Sequence, residues 1–326
     1  MSAANKKKDD IQFYDFHPAP NDFFGEVIDG LQKENKVIPP KFFYNEQGSK
    51  IFDAICDSPE YYPTRTEIDI LKNNATEISQ YIDADCLLIE PGSGSSQKVR
   101  LLLDTLKPSV YMPMDISKDY LIQIAKDVSS EYSWLDVHAA CIDYTDKIKL
   151  PYNMDDVHKV AFFPGSSIGN FEPADAVKFL QNIAEIVKPG GGILIGVDLK
   201  KDVETLNAAY NDSHGVTADF NLNLLTRINQ ELDANFDLNG FEHKAFYNDK
   251  KGRIEMHLKS KEQQTVKVGD HSISFSENET IHTENSYKYT ISEFQDLLKD
   301  AGFEPLRVWT DDNDLFSVHY CNLPVN

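Results

Sequence analysis

The sequence predicts an α/β protein, a Rossmann-like, doubly wound sheet carrying a second domain of α+β type. Three observations carry this expectation. Between residues 86 and 200, short apolar runs alternate with amphipathic stretches of 10–17 residues, the pattern of βαβ units in a parallel sheet. The stretch "LLIEPGSGSSQK" (87–98) passes from an apolar strand through a glycine turn into a helix, a common place to hold a nucleotide. After about Lys200 the alternation stops and gives way to helices followed by strands joined by turn signals.

Taken in order, residues 1–12 read as a solvated tail. "PNDFFGEVIDGLQKE" (20–34) places Phe23, Phe24, Val27, Ile28 and Leu31 at helical spacing behind Asn21 as a cap. A Pro-Pro break and an aromatic loop follow, then a short helix near 48–57 and a longer one from about Thr64 to Tyr81. "DCLLIEPG", "SVYMPMDIS", "LDVHAACIDYT", "KVAFFPGS" and "GILIGVDLK" read as strands, separated by "SQKVRLLLDTL", "KDYLIQIAKDVSSEY" and "EPADAVKFLQNIAEIVK" as helices. "KDVETLNAAYND" and "TADFNLNLLTRINQEL" are helical, and the segment from Glu242 to Glu284 reads as antiparallel strands turning at "NDKKGR" and "VGD". A last helix ends at Gly302, and the two closing strands are expected to rejoin the parallel sheet. The expected division is a core of residues 65–200 and 288–326, with a second, substrate-binding domain of 13–64 and 201–287.

Composition narrows the function. The formal charge of −21 opposes nucleic acid and anionic membrane surfaces, whose binding relies on Lys and Arg, and favours a small zwitterionic or cationic substrate. No apolar run approaches the roughly 18 residues of a membrane span, and "MSAANKKKDD" lacks the apolar segment of a signal peptide, so a cytoplasmic protein is expected. A monomer is expected as well. The four cysteines are scattered and read as buried thiols. His214, His257 and His282 show no metal-ligand spacing, and no metal is expected.

In an open α/β sheet the ligand lies outside the carboxyl ends of the strands. After the first core strand come Glu90, Gly92, Ser93, Gly94 and Ser96, where the backbone can approach a ligand at a helix N-terminus. The next strand ends in Asp115, 23 residues beyond Gly92, a spacing that suits ribose hydroxyls. "CIDYT" then offers Asp143 to an adenine amino group and Tyr144 to the ring face. Each feature alone is weak, and a nicotinamide-dependent dehydrogenase would share several of them. The set is stronger. A glycine loop without the third glycine of the dinucleotide pattern suits a nucleoside that bears an amino acid rather than a pyrophosphate, and a helix ending in "KPGG" before a strand typifies class I S-adenosylmethionine (SAM) methyltransferases.

Beyond this, "PPKFFYNEQGSKIFDAICDSPEYYPTRTE", "GSGSSQKVRLLLD", "FFPGSSIGNFEP", "HGVTADFNLNLLTRIN", "RIEMHL" and "HTENSYKY" together resemble the histidine-specific SAM-dependent methyltransferase family, from about Pro39 to the end of the chain. The resemblance implies methylation of the α-amino group of free histidine to its betaine, hercynine, a step of ergothioneine biosynthesis. For SAM it implies Tyr44, Gly92, Lys98, Asp115, Asp143 and Tyr144, with Lys98 meeting the methionine carboxylate and Asp115 the ribose. For the amino acid it implies Asn170 and Tyr210 at the carboxylate and amine, Tyr61 in the pocket wall, Glu284 and Ser286 on the two imidazole nitrogens, and Met256 beside the ring. Departures are few: Pro91 stands where a leucine is usual and Gln97 where Glu is common. Two alternatives stay open at this point, a relative acting on another amino acid such as an indole substrate, and a SAM-binding module without activity.

Overall fold

The computed structural model describes residues 11–16, 21–145, 148, 150 and 157–325. The chain starts with strand β1 (Gln12–Asp15), helix α1 (Asn21–Leu31) and the short strand β2 (Lys36–Val37). A 3-10 turn, Pro40–Phe43, leads into α2 (Glu46–Cys56), whose N-terminus is capped by Asn45 accepting from the Gly48 amide at 2.8 Å. Next is α3 (Tyr62–Ile78), which begins two residues before the expected Thr64. Pro63 falls inside its first turn, where the missing N–H has no partner to lose.

The alternating region follows the expected order: β3 (Leu87–Pro91), α4 (Gln97–Leu106), β4 (Val110–Asp115), α5 (Lys118–Glu131), β5 (Asp136–Cys141), β6 (Lys159–Phe163), α6 (Pro173–Val187) and β7 (Gly192–Asp198). Every residue of β3, β6 and β7 is buried, as expected for strands covered on both faces. Helices α7 (Val203–Ala209) and α8 (Val216–Glu231) then precede the strands β8 (Phe241–Asn248), β9 (Arg253–Ser260), β10 (Gln264–Val268), β11 (His271–Phe275) and β12 (Thr280–Tyr287). The chain closes with α9 (Ile291–Asp300), held by a Thr290/Glu293 capping box, and the hairpin β13 (Glu304–Thr310) and β14 (Phe316–Asn322).

The large sheet has the order β1-β5-β4-β3-β6-β7-β14-β13. Counting β3 to β7 as one to five and the final hairpin as six and seven gives 3-2-1-4-5-7-6. The strand antiparallel to β7 is therefore the last one, inserted before its predecessor. This departs from the 3-2-1-4-5-6 order of dinucleotide-binding sheets and is the class I methyltransferase arrangement. One segment differs from expectation. Residues 12–15, read as the end of a tail and the start of the second domain, form β1 and pair in parallel with β5, covering what would be an open edge of the large sheet.

One apolar layer on this sheet comes from α6 and α9 (Phe179, Leu180, Ile183, Phe294, Leu298), the other from α3, α4 and α5 (Leu71, Val99, Leu103, Leu121, Val128). A third core joins α1, α2 and α8 to the second sheet, order β2-β12-β9-β8, through residues such as Phe43, Phe220, Leu224 and Met256. The site lies where these layers meet.

Candidate active site

The strand order reverses at β3, which pairs with β4 on one side and β6 on the other, and ligands bind beyond the carboxyl end of such a switch point. There Gly92 adopts φ +67, and a Cβ on it would lie 3.0 Å from the Tyr144 ring. The glycine thus supplies both a left-handed turn and the room for an aromatic face over it. Asp115, at the end of β4, accepts from the Gly94 amide at 3.2 Å and the Ser117 amide at 2.9 Å, while burial raises its carboxyl pKa. Asp143 is also buried, but hydrogen bonds from Thr145 and Lys41 hold its carboxyl below the usual value. These residues fit an adenosine: a glycine cradle, an aromatic face and two carboxylates able to accept from hydroxyl and amino groups.

Three adjoining cavities run from this point. The first, about 600 Å³, is lined by Tyr44, Gly92, Asp115, Asp143, Tyr144 and Asn170 among others. The second, about 530 Å³, shares Gly92 and Gly94 with it and adds Glu90, Lys98 and Tyr61. The third, about 20 Å³, is enclosed by Phe52, Tyr61, Tyr210, Thr217, Met256 and Glu284. Phe52 lines all three, and Tyr61 stands between the second and third. Of the residues that the family resemblance assigned to SAM or to the amino acid, all but Ser286 line one of these cavities; Ser96 of the glycine loop does not. Ser286 sits behind the wall, its Oγ accepting from the Tyr210 hydroxyl at 2.8 Å.

The register of the second sheet explains the third cavity. Glu284 on β12 faces Met256 on β9, so a carboxylate and a thioether share one spot, and Ser286 projects from the same strand two residues on. A bulge between His282 and Glu284 marks the change of pairing at this point. Burial pushes the Glu284 carboxyl up to about 7, opposed by the Lys288 charge. Burial likewise raises the phenols of Tyr61 and Tyr210, so both are neutral hydrogen-bonding groups.

Sequence reasoning missed several groups. Thr217, whose amide donates to the Asp212 carboxylate at 2.7 Å, brings a buried side chain into the wall of the third cavity. Lys98 is held by Glu67, whose carboxylate accepts from its Nζ at 2.5 Å and from the Gly165 amide at 2.8 Å. Glu67 fits there because Gly196 has no side chain; a Cβ would come within 1.9 Å of Oε1. Lys41 bridges Asp143 at 3.0 Å and Glu26 at 2.9 Å over the first cavity. None of these partners lies at a recognisable spacing from the residue it serves.

Glu255, His257 and His282 also bring ligand-type atoms within 4.8 Å of one another on the second sheet. The two imidazoles are cross-strand partners stacked 4.6 Å apart at 15°, so a metal in the plane of one ring lies out of the plane of the other.

The family model of the histidine-specific, SAM-dependent methyltransferases matches residues 23–323. The chain belongs to this family. A histidine N-alpha-methyltransferase of Mycobacterium tuberculosis (strain CDC 1551 / Oshkosh) is 40% identical over 294 residues, covering 88% of this chain and 90% of its own. Ergothioneine biosynthesis protein 1 of Neurospora crassa is 32% identical over 300 residues, 86% of this chain but 32% of that longer protein. A 4-dimethylallyltryptophan N-methyltransferase of Claviceps purpurea is 29% identical over 321 residues, 88% of this chain and 91% of its own. As a member of the histidine-specific methyltransferases the chain is an enzyme that uses SAM as methyl donor and acts on a small molecule. Among its described residues no helix is long and apolar enough to cross a membrane.

Proposed function

We propose that the enzyme transfers methyl groups from SAM to the α-amino group of free L-histidine, up to the trimethylated betaine hercynine, a step of ergothioneine biosynthesis. The observation that carries this reading is Glu284, a carboxylate buried at the far end of the cavity chain beside Met256 and Tyr210. A buried carboxylate is costly unless a donor meets it, and an imidazole N–H is such a donor.

In this reading Gly92, Tyr144, Asp115, Asp143 and Tyr44 hold the adenosine, and Lys98 takes the methionine carboxylate. SAM supplies an electrophilic methyl group on a sulfonium. The amino acid spans the remaining distance, with Asn170 and Tyr210 on its carboxylate and amine, Tyr61 along its side and Glu284 at its ring. The attacking amine must be neutral, and an amide and two un-ionised phenols hold it without favouring the ammonium. The rate then comes mainly from holding amine and methyl in line. At about 20 Å³ the third cavity has room for roughly one water, so its walls must part to admit a ring.

Incubation with SAM and a panel of amino acids, followed by mass spectrometry, tests the reading. Histidine is expected to gain up to three methyl groups. Methylation of tryptophan or another amino acid in place of histidine would overturn the substrate, and SAM binding without turnover would overturn the activity.

A further inference from the structure

Behind the third cavity lies a buried charge cluster that the proposed reaction leaves unexplained. Asp198, at the end of β7, is fully buried and accepts from Lys201 at 2.6 Å, Lys288 at 2.6 Å and the Tyr62 hydroxyl at 2.7 Å. Each lysine is itself saturated. Lys201 donates to Asp198, the Tyr62 hydroxyl and the Leu199 carbonyl. Lys288, only 1% exposed at its side chain, donates to Asp198, to Ser286 Oγ at 2.9 Å and to the Tyr210 hydroxyl at 3.1 Å. An ammonium has three N–H groups, so Lys288 has none left for a substrate.

The consequence falls on Ser286. Its oxygen accepts from both Lys288 and Tyr210, which fills both lone pairs of a hydroxyl. Among the described residues no hydrogen bond takes its own proton. That proton is the one bonding capacity Ser286 can offer a ring held against Glu284, its neighbour on the same strand.

Resting on the reading of histidine as substrate, we propose that Lys288, together with Tyr210, is a positioning residue that fixes the Ser286 hydroxyl as a donor. The ring site then asks for one N–H, toward Glu284, and one unprotonated nitrogen, toward Ser286. Neutral imidazole has both. Indole and pyrrole offer an N–H alone and would leave the Ser286 proton buried and unpaired. Lys288 makes this demand without touching the ring, because it removes the freedom of Ser286 to turn and accept instead.

The test is the ratio of kcat/KM for histidine to that for the two pyrrolylalanine isomers, which keep one N–H and lack the second nitrogen. A ratio cancels damage that slows both substrates alike. The wild-type enzyme should favour histidine by about 100-fold or more, in the manner of sites that reject analogues lacking a hydrogen-bonding group. Lys288→Met should lower that preference by about tenfold, since a freed hydroxyl no longer leaves its proton unpaired. In a Ser286→Ala background the same change should leave the preference within about twofold, as expected when one residue acts through another. Equal effects of Lys288→Met in both backgrounds would overturn the proposal and make Lys288 a strut. Should Lys288→Met lose binding of S-adenosylhomocysteine, Tyr210→Phe removes the other donor into Ser286 and enters the same cycle; a preference unchanged by it would overturn the proposal equally. A wild-type enzyme inactive on histidine would instead refute the substrate reading, before any variant is made.

Discussion

Glu284 and Gly92 show at the residue scale how burial and backbone geometry set the chemistry. The Glu284 carboxyl, pushed up to about 7 by burial, holds a proton that the unfolded chain releases near its ordinary value of about 4.3. Its contribution to stability is therefore present below about pH 4.3 and is lost as pH rises through about 7. Glu284→Gln should remove that loss: thermal denaturation should show the variant more stable than wild type above pH 7 and level with it near pH 4. The carboxylate also has to accept the ring N–H, so Glu284→Ala should raise the histidine KM by about 10–100-fold, the cost of a lost charged hydrogen bond, with the SAM KM nearly unchanged. Steady-state kinetics with each substrate varied in turn would check this, and equal changes in both constants would remove Glu284 from the ring site. Gly92→Ala acts at the other end. With φ +67 and the Tyr144 ring 3.0 Å from the added methyl, affinity for S-adenosylhomocysteine should fall by about 1–2 kcal/mol in calorimetry. Lys98, by contrast, could be noted in the sequence as the first charged residue of its helix, but its pairing with Glu67 could not. Those two residues are 31 positions apart on separate helices.

Among elements, the strands of the large sheet were legible because each is a short apolar run bounded by turn residues, and burial on both faces leaves no other composition. The short strands β1 and β2 were not. β1 has only four residues, polar at both ends and partly exposed, and β2 has two; each exists only because a partner strand supplies its hydrogen bonds. The turn Ser167–Asn170 makes the same point. It packs so closely on β12 that a Cβ on Gly169 would lie 2.7 Å from the Tyr287 carbonyl oxygen. That contact sets where Asn170 stands relative to Glu284. Gly169→Ala should push the turn off β12, lowering stability by about 1–3 kcal/mol and kcat more than SAM affinity. Denaturant titration and calorimetry would separate the two effects; an unchanged kcat would show that the turn's docking does not position the amine.

Across the whole molecule, side-chain ties among the described residues help join the large-sheet layer to the second-sheet layer, and two of them stand out. One is the Asp198–Lys288 pair at 2.6 Å, and the other is Glu172, which accepts from Arg253 at 2.6 Å, the Tyr287 hydroxyl at 2.5 Å and Asn285 at 3.1 Å. Glu172 is itself half exposed, and the hydrogen bonds from Tyr287 and Arg253 outweigh its partial desolvation and hold its carboxyl below the usual range. Since the methyl donor is read as lying on one sheet and the acceptor's ring on the other, these ties govern how well amine and methyl are aligned. Glu172→Ala should cost about 1–2 kcal/mol of stability, the scale of losing one charged hydrogen-bonded partner. It should also lower kcat for histidine while SAM affinity changes little. Thermal denaturation and single-turnover kinetics would check this, and loss of SAM affinity with kcat intact would show that Glu172 serves the first cavity instead.

The amino-acid sequence by itself determined the class of fold and pointed to a region in which the methyl donor is read as lying. Strand and helix periodicity, a glycine turn, and acidic residues at strand ends are local properties, each written within about 25 consecutive residues. It also carried a family resemblance that named Glu284 and Ser286. Only the tertiary structure decided how they differ, with Glu284 in the cavity wall and Ser286 one layer behind, tied to Tyr210 and Lys288. The reason is physical. A hydroxyl's role as donor or acceptor depends on which partners fill its lone pairs, and Ser286's partners arrive from α7's end and the residue after β12, brought together by packing that no local spacing records.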